Sequence, residues 1–302
     1  MFKLLIRKCI QGILMVLIVS ALSFGLLSSA GGDAFAALRD NPQVSAETIA
    51  KLQSDFDFDK PFATRFANWL SGVVRGDLGE SITFKTPVST IVSTRLMSTL
   101  TVCIAAFAMA IAVSLLVSII AVYTRHRTID MIAELIVTIT NSVPRIVLAV
   151  VALAIAASVG TVAGTGSIIV VLAIPLVGIF LAQFRSSLAE TMSRDYIVVA
   201  RSKGLSEFSI LMRHAIRPSI GPLITVAGLS IGALLGGSII AESVLGRPGI
   251  GSLLVSSVRS RDIPVVMGVV LAISIGVWLF NTLADVILLI NDKRLRTAEL
   301  DV

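Results

Sequence analysis

Charge is scarce in these 302 residues: Asp, Glu, Lys and Arg together supply 15%, against 55% hydrophobic residues and a mean hydropathy of +0.94. A soluble globular domain carries about a quarter charged residues, so this composition excludes that class. Histidine is nearly absent. His126 and His214 are isolated, which argues against a metal or catalytic centre. The two cysteines, Cys9 and Cys103, lie 94 residues apart with no metal-ligand neighbour, and both read as small buried apolar residues. Also missing are a G-x-x-x-x-G-K-[ST] phosphate loop, a protease constellation and a glycine-rich dinucleotide fingerprint. The expectation is a non-catalytic chain that binds no cofactor of its own.

What remains is long apolar runs. A helix needs about 20 apolar residues to cross the hydrocarbon core of a bilayer, and six windows qualify: about 9–30, 99–123, 131–158, 166–184, 219–241 and 264–290. None shows the period-two alternation of a barrel strand, so helices are expected. The fold class is therefore an all-α polytopic membrane protein with six transmembrane helices.

Lysine and arginine orient it. With the N-terminus inside, the cytoplasmic segments hold 14 basic and 7 acidic residues, and the external ones, about 31–98, 159–165 and 242–263, hold 10 of each. Both termini are accordingly expected in the cytoplasm. The pI of 9.7 then reflects membrane topology. With no aromatic interleaving and no soluble domain, it gives no argument for nucleic acid. Lys3, Arg7 and Lys8 ahead of an apolar run also have the layout of a signal peptide, but the run from Cys9 to Ala30 exceeds a usual signal core, and we read 1–30 as a first span.

Two polar segments interrupt the spans. The external segment 31–98 contains the acidic run Asp55, Asp57 and Asp59, which alternates with phenylalanine and reads as a solvated edge before a cation site. It also contains Arg75-Gly76-Asp77-Leu78-Gly79, where the glycines make turns and Asp77 caps backbone, rather than an adhesion motif. The other segment, 185–218, lies between the fourth and fifth windows. Six basic and three acidic residues keep it out of lipid, while its apolar positions recur at helical spacing on either side of Gly204. It reads as two short amphipathic helices with a glycine break, a docking surface for a soluble partner.

Within that segment, Ala200-Arg201-Ser202-Lys203-Gly204-Leu205-Ser206, followed by Arg213-His214-Ala215-Ile216-Arg217-Pro218, resembles the cytoplasmic signature loop of ABC importer permeases, and most closely the branch that imports dipeptides, oligopeptides and nickel chelates. The general motif's acidic position falls on Val198 and its proline position on Arg217, with Pro218 one residue late. Arg75 to Ser81 and Pro87 to Leu100 are similar to that branch too. So is Gly236 to Leu254, except that Leu245 replaces an aromatic and Arg247 a tryptophan.

The resemblance implies a type I ABC importer permease architecture. It implies a second homologous permease, two cytoplasmic ATPase subunits that carry the ATP and magnesium, and an extracytoplasmic solute-binding protein, in the bacterial cytoplasmic (inner) membrane. Carried over residue by residue, Tyr196, Ala200, Arg201, Lys203, Gly204, Leu205, Ser206, Arg213 and His214 form the ATPase-coupling loop. Asn141, Pro144, Arg145, Glu242, Pro248, Gly249 and Gly251 are candidates for the translocation path or gate. The layout becomes 1–30 first helix, 31–98 external segment, 99–290 five-helix core and 291–302 cytoplasmic tail. Alternating access is the implied mechanism, with ATP-driven movement of the coupling helices tilting the spans. Pro144, Pro175 with Gly178, and Gly236-Gly237 are places where spans bend or pack closely.

A secondary carrier and a membrane-embedded sensor are the readings from other classes. Against a carrier stand the lack of an inverted repeat and the paucity of charged residues in the spans, limited to Glu134, Arg145 and Asp285. Peptides lead as the solute, with nickel chelates, glutathione and opine-like solutes behind. Arg145 departs from the family, which has a small polar residue after the proline. On a straight helix from Met131 it falls roughly 20 Å along, near the bilayer midplane. Such a charge needs a partner, Asp285 or a residue of the second permease, or else a water-filled path holding an anionic solute.

Overall fold

A computed structural model of the chain describes residues 2–29, 45, 47 and 60–291. The acidic run at 55–59 and the tail at 292–302, with its basic Lys293, Arg294 and Arg296, lie outside the described residues. Among the described residues there is no strand, only a bridge between Glu80 and Pro87. Five helices are long and apolar enough to cross a membrane, or six if one bent pair counts as a single span.

The chain forms two compact units. Unit 1 comprises Met1–Thr99 and Pro248–Trp278. It holds α1 (Phe2–Ser29), α2 (Phe62–Val74), the first turns of α3 (Val88–Thr124), α10 (Ile250–Arg259) and most of α11 (Ile263–Asn291). The end of the segment read as external, 31–98, thus shares its core with a distant stretch of the chain. Val88, Val92, Ile250, Leu253, Val265 and Val269 bury together, and Val88 and Val92 lie where a Cβ on Gly268 would sit. Phe24, Phe62, Phe66 and Trp69 stack between α1 and α2, with the Arg65 guanidinium 5.3 Å above the Phe24 ring. Asp77 accepts from the Gly79 amide at 2.8 Å, and Gly76 and Gly79 both take φ of +81°, which makes the Arg-Gly-Asp run a turn. Cys103 is buried but Cys9 is exposed, a correction to the expectation of two buried thiols. The reason is that α1 presents most of its length outward.

Unit 2 comprises Leu100–Arg247 and Leu279–Val302. It holds the rest of α3, then α4 (Arg127–Ser142), α5 (Arg145–Ser158), α6 (Thr165–Met192), α7 (Asp195–Ser202), the single turn α8 (Glu207–Ile210), a π-turn Leu211–Ala215 and α9 (Ile216–Val244). The third apolar window is not one straight span, since α4 and α5 meet at 97°. Proline explains the break: the residue before it is pushed out of the helical region, and Val143 sits at φ −90°, ψ 119°. Arg145 is thus the first residue of a second helix, and its depth cannot be counted from Met131. Gly178 of α6 lets α4 approach closely, because a Cβ there would strike the Thr140 and Asn141 side chains. Near α9's middle, Gly228 likewise admits Ala284. Remaining parts of α3, α9 and α11 line a cavity of about 730 Å³ whose walls, such as Leu100, Phe107, Ile231 and Phe280, carry no charge.

Candidate functional site: the loop between the fourth and fifth spans

α6 leaves its span at Met192, and Arg194 opens α7 from an extended conformation. Ile197 and Ala200 bury one face of α7, while Tyr196, Val198 and Val199 are exposed on the other. The helix stops at Lys203 because Gly204 takes φ of +80°, a left-handed turn that glycine adopts without strain. Ser206 then caps the next turn, its Oγ accepting from the Ser209 amide at 3.3 Å. The second helix differs from the expectation of a separate short element, because α8 runs through the π-turn into α9 as one rod from Glu207 to Val244. Any displacement of Glu207 is therefore carried along the fifth span.

The π-turn has a local cause. Pro218 lacks an amide, so the His214 carbonyl four residues earlier has no helical donor. The Tyr196 hydroxyl points at that oxygen from 3.5 Å. Ile216 bonds back to Leu211 in the wider register. Tyr196 and His214 are thereby brought together across the two arms of the loop.

One residue that sequence reasoning left out gathers the loop. Glu207 receives Arg201 as a fork, Nε to Oε1 at 2.5 Å and Nη2 to Oε2 at 3.1 Å. It also receives Arg125 Nη2 at 3.1 Å from the α3–α4 turn, where Arg125 itself sits at φ +50°. The hydrogen bond and charge of Glu207 hold the Arg201 guanidinium above its ordinary range. Beside this hub, the Tyr123 and Phe208 rings meet edge to face at 6.1 Å. The available signal was acidic Glu207 six residues beyond Arg201, across a glycine turn that folds the chain back on itself.

Most of the expected coupling residues share this one exposed surface. Tyr196, Lys203, Gly204, Leu205, Ser206, Arg213 and His214 are exposed and Arg201 is half-buried. Ala200 is buried at 8% exposure, so it packs the inner face of α7 instead of meeting a partner. Phe208 and Met212, 58% and 45% exposed, extend the apolar crest. An exposed apolar crest rimmed by basic side chains fits a protein partner better than a bilayer or water.

The expected path residues divide between the two units. Asn141 and Pro144 are exposed at the α4–α5 break with Arg145 half-buried beside them, and Glu242 is fully buried near the end of α9. Pro248, Gly249 and Gly251 belong to unit 1. There the Pro248 carbonyl accepts from Ser98 Oγ at 2.9 Å, and the Ile250 amide donates to Thr99 Oγ1 at 2.8 Å. These contacts fasten α10 to the start of α3. Asp285 is not the partner of Arg145. The Arg145 Nη1 donates at 2.5 Å to the Ala233 carbonyl of α9, and no carboxylate among the described residues lies within ion-pair reach.

Long apolar helices interrupted by a charged loop define a multi-pass membrane protein. Family models agree: one described as binding-protein-dependent transport system inner membrane component matches residues 114–297, and its N-terminal companion matches 1–103. The chain belongs to this family and is an ABC importer permease of the peptide type. A candidate peptide transport system permease of Brucella suis biovar 1 is 32% identical over 97% of this chain and 99% of its own length. The glutathione transport system permease GsiC of Salmonella choleraesuis is 31% identical over 95% of this chain and 96% of its own. Among solved structures, an inward-facing MetNI methionine ABC transporter chain superposes with a TM-score of 0.56 at 20% identity, over 67% of this chain and 96% of that one. An amino acid ABC transporter chain gives 0.55 at 16% identity, over 66% and 93%. These likenesses establish the type I importer permease fold.

Proposed function

We propose that this chain forms half of a translocation pathway for peptides or related small solutes in the bacterial inner membrane, with both termini cytoplasmic. It pairs with a second homologous permease, accepts solute from an extracytoplasmic binding protein, and docks two ATPase subunits that hold the ATP and magnesium. The carrying observation is the Arg194–His214 surface. Its apolar crest is solvent-exposed, its arms are tied by Arg201 and Glu207, and its second arm is continuous with a 38-residue helix. A push on the crest thus reaches the membrane interior through one rigid element. Peptide as the solute class rests on the names of the relatives.

Two measurements test this. Affinity purification of the tagged chain from its native membrane should recover ATPase subunits in stoichiometric amount, and their loss on Leu205→Asp would place the contact on the crest. In a background lacking Cys9 and Cys103, Ser206→Cys should resist an impermeant thiol reagent in intact cells while Ser71→Cys reacts. Labelling of Ser206→Cys without permeabilisation would contradict the orientation.

A further inference from the structure

We propose that Arg145 makes the pathway selective for solutes that carry a carboxylate, a residue-level inference that rests on the importer reading above. Arg145 is one of three charged side chains inside the apolar windows. Its guanidinium reaches Ala233, the eighteenth residue of the 29-residue helix α9, so it lies beside the middle of the fifth span. A charge at that depth is unfavourable against lipid and is kept where it meets water, a partner or a ligand.

The contacts are those of a held, incompletely used donor set. Of the five N–H groups of the guanidinium, the described residues engage one, at a neutral carbonyl. That carbonyl lies inside an unbroken helix, where the amide of Gly237 four residues on is its ladder donor, so Arg145 does not repair a broken backbone. The side chain fits because Gly237 has no Cβ: one built there would lie 2.6 Å from Nη1 and 2.9 Å from Cδ of Arg145. A Cβ on neighbouring Gly236 would meet nothing within 4 Å. On the other side, Asn141, Ser142 and Pro144 are exposed where α4 turns by 97° into α5. The guanidinium is therefore propped against α9 at an open, polar bend with its remaining donors unspent. A planar fork of this kind matches the two oxygens of a carboxylate.

The test uses the assembled importer, with its binding protein and ATPases, in proteoliposomes. The probes are the C-terminal amides of Ala-Glu-Ala and Ala-Gln-Ala, so that the glutamate side chain is the one carboxylate present; they differ in charge and hardly in shape. Arg145→Gln should lower the Ala-Glu-Ala to Ala-Gln-Ala uptake ratio about tenfold or more, the scale of one charge-assisted hydrogen bond. Arg145→Lys, which keeps the charge without the fork, should lower it less. An unchanged ratio in Arg145→Gln overturns the inference and leaves the importer reading intact. Failure of both variants to yield assembled complex assigns Arg145 to structure and also overturns it. Uptake of neither peptide by the unaltered importer contradicts the peptide reading itself, and the inference falls with it.

Discussion

Among the described residues, Asp262 of unit 1 and Glu207 of unit 2 each collect donors from distant chain segments, and the two carboxylates sit in opposite surroundings. In unit 1, Asp262 is completely buried. It accepts from Ser81 Oγ at 2.5 Å, the Thr83 amide at 2.9 Å and, more weakly, the Ile82 and Val265 amides at 3.3 and 3.4 Å. In unit 2, Glu207 is 44% exposed and its partners are two arginine side chains, with Arg201 32% exposed and Arg125 58%. Short neutral donors around a buried anion have nowhere else to go, because each would be left unpaired if the carboxylate moved. Long arginines near water can release and recapture their acceptor at little net cost. The first arrangement is a lock and the second a joint, which suits the coupling role proposed for this loop.

Removing the lock should have the largest effect. Asp262→Ala strips the acceptor from Ser81, Ile82 and Thr83, and a loss of about 3 kcal/mol or more is expected from several charge-assisted bonds. A large drop in thermal unfolding temperature in detergent, together with proteolysis in the 75–87 turn, checks this. Near-normal stability would make Asp262 as replaceable as a surface group.

Next in size is Gly204→Val. A β-branched side chain at φ +80° adds about 1 kcal/mol or more of backbone strain and redirects the rod that begins at Glu207. Membrane insertion should persist while transport is lost or ATPase recovery falls. Wild-type transport would make Gly204 an ordinary loop residue.

Smallest in stability is Glu207→Gln, with about 1 kcal/mol or less expected for half-exposed pairs. The exchange Arg201→Glu with Glu207→Arg should restore part of any transport that Glu207→Gln removes. No recovery in the exchanged pair would mean that Glu207 acts apart from Arg201.

The spans were legible in the sequence because a run of about twenty apolar residues matches the thickness of a bilayer and is rare in water-soluble folds. The glycine turn was visible for a similar reason, since Gly204 stands alone among good helix formers. Three things were hidden. The sharp bend at Val143 lay inside a window that hydropathy reads as continuous, although Pro144 marked the place. The merging of α8 with α9 depends on the π-turn that precedes Pro218, which periodicity cannot register. The two carboxylate hubs join residues 181 and 82 positions apart, and nothing in a single sequence pairs Ser81 with Asp262 or Arg125 with Glu207.

The contrast between lock and joint comes down to solute molecules moved per ATP hydrolysed by the assembled importer in proteoliposomes, measured for Asp262→Asn and Glu207→Gln beside the unaltered chain. Asp262→Asn should reduce the amount of assembled importer but leave solute moved per ATP unchanged in what assembles. Glu207→Gln should assemble in normal amount and hydrolyse ATP with less solute moved per ATP. The reverse pattern, or the same ratio in all three, would contradict the account.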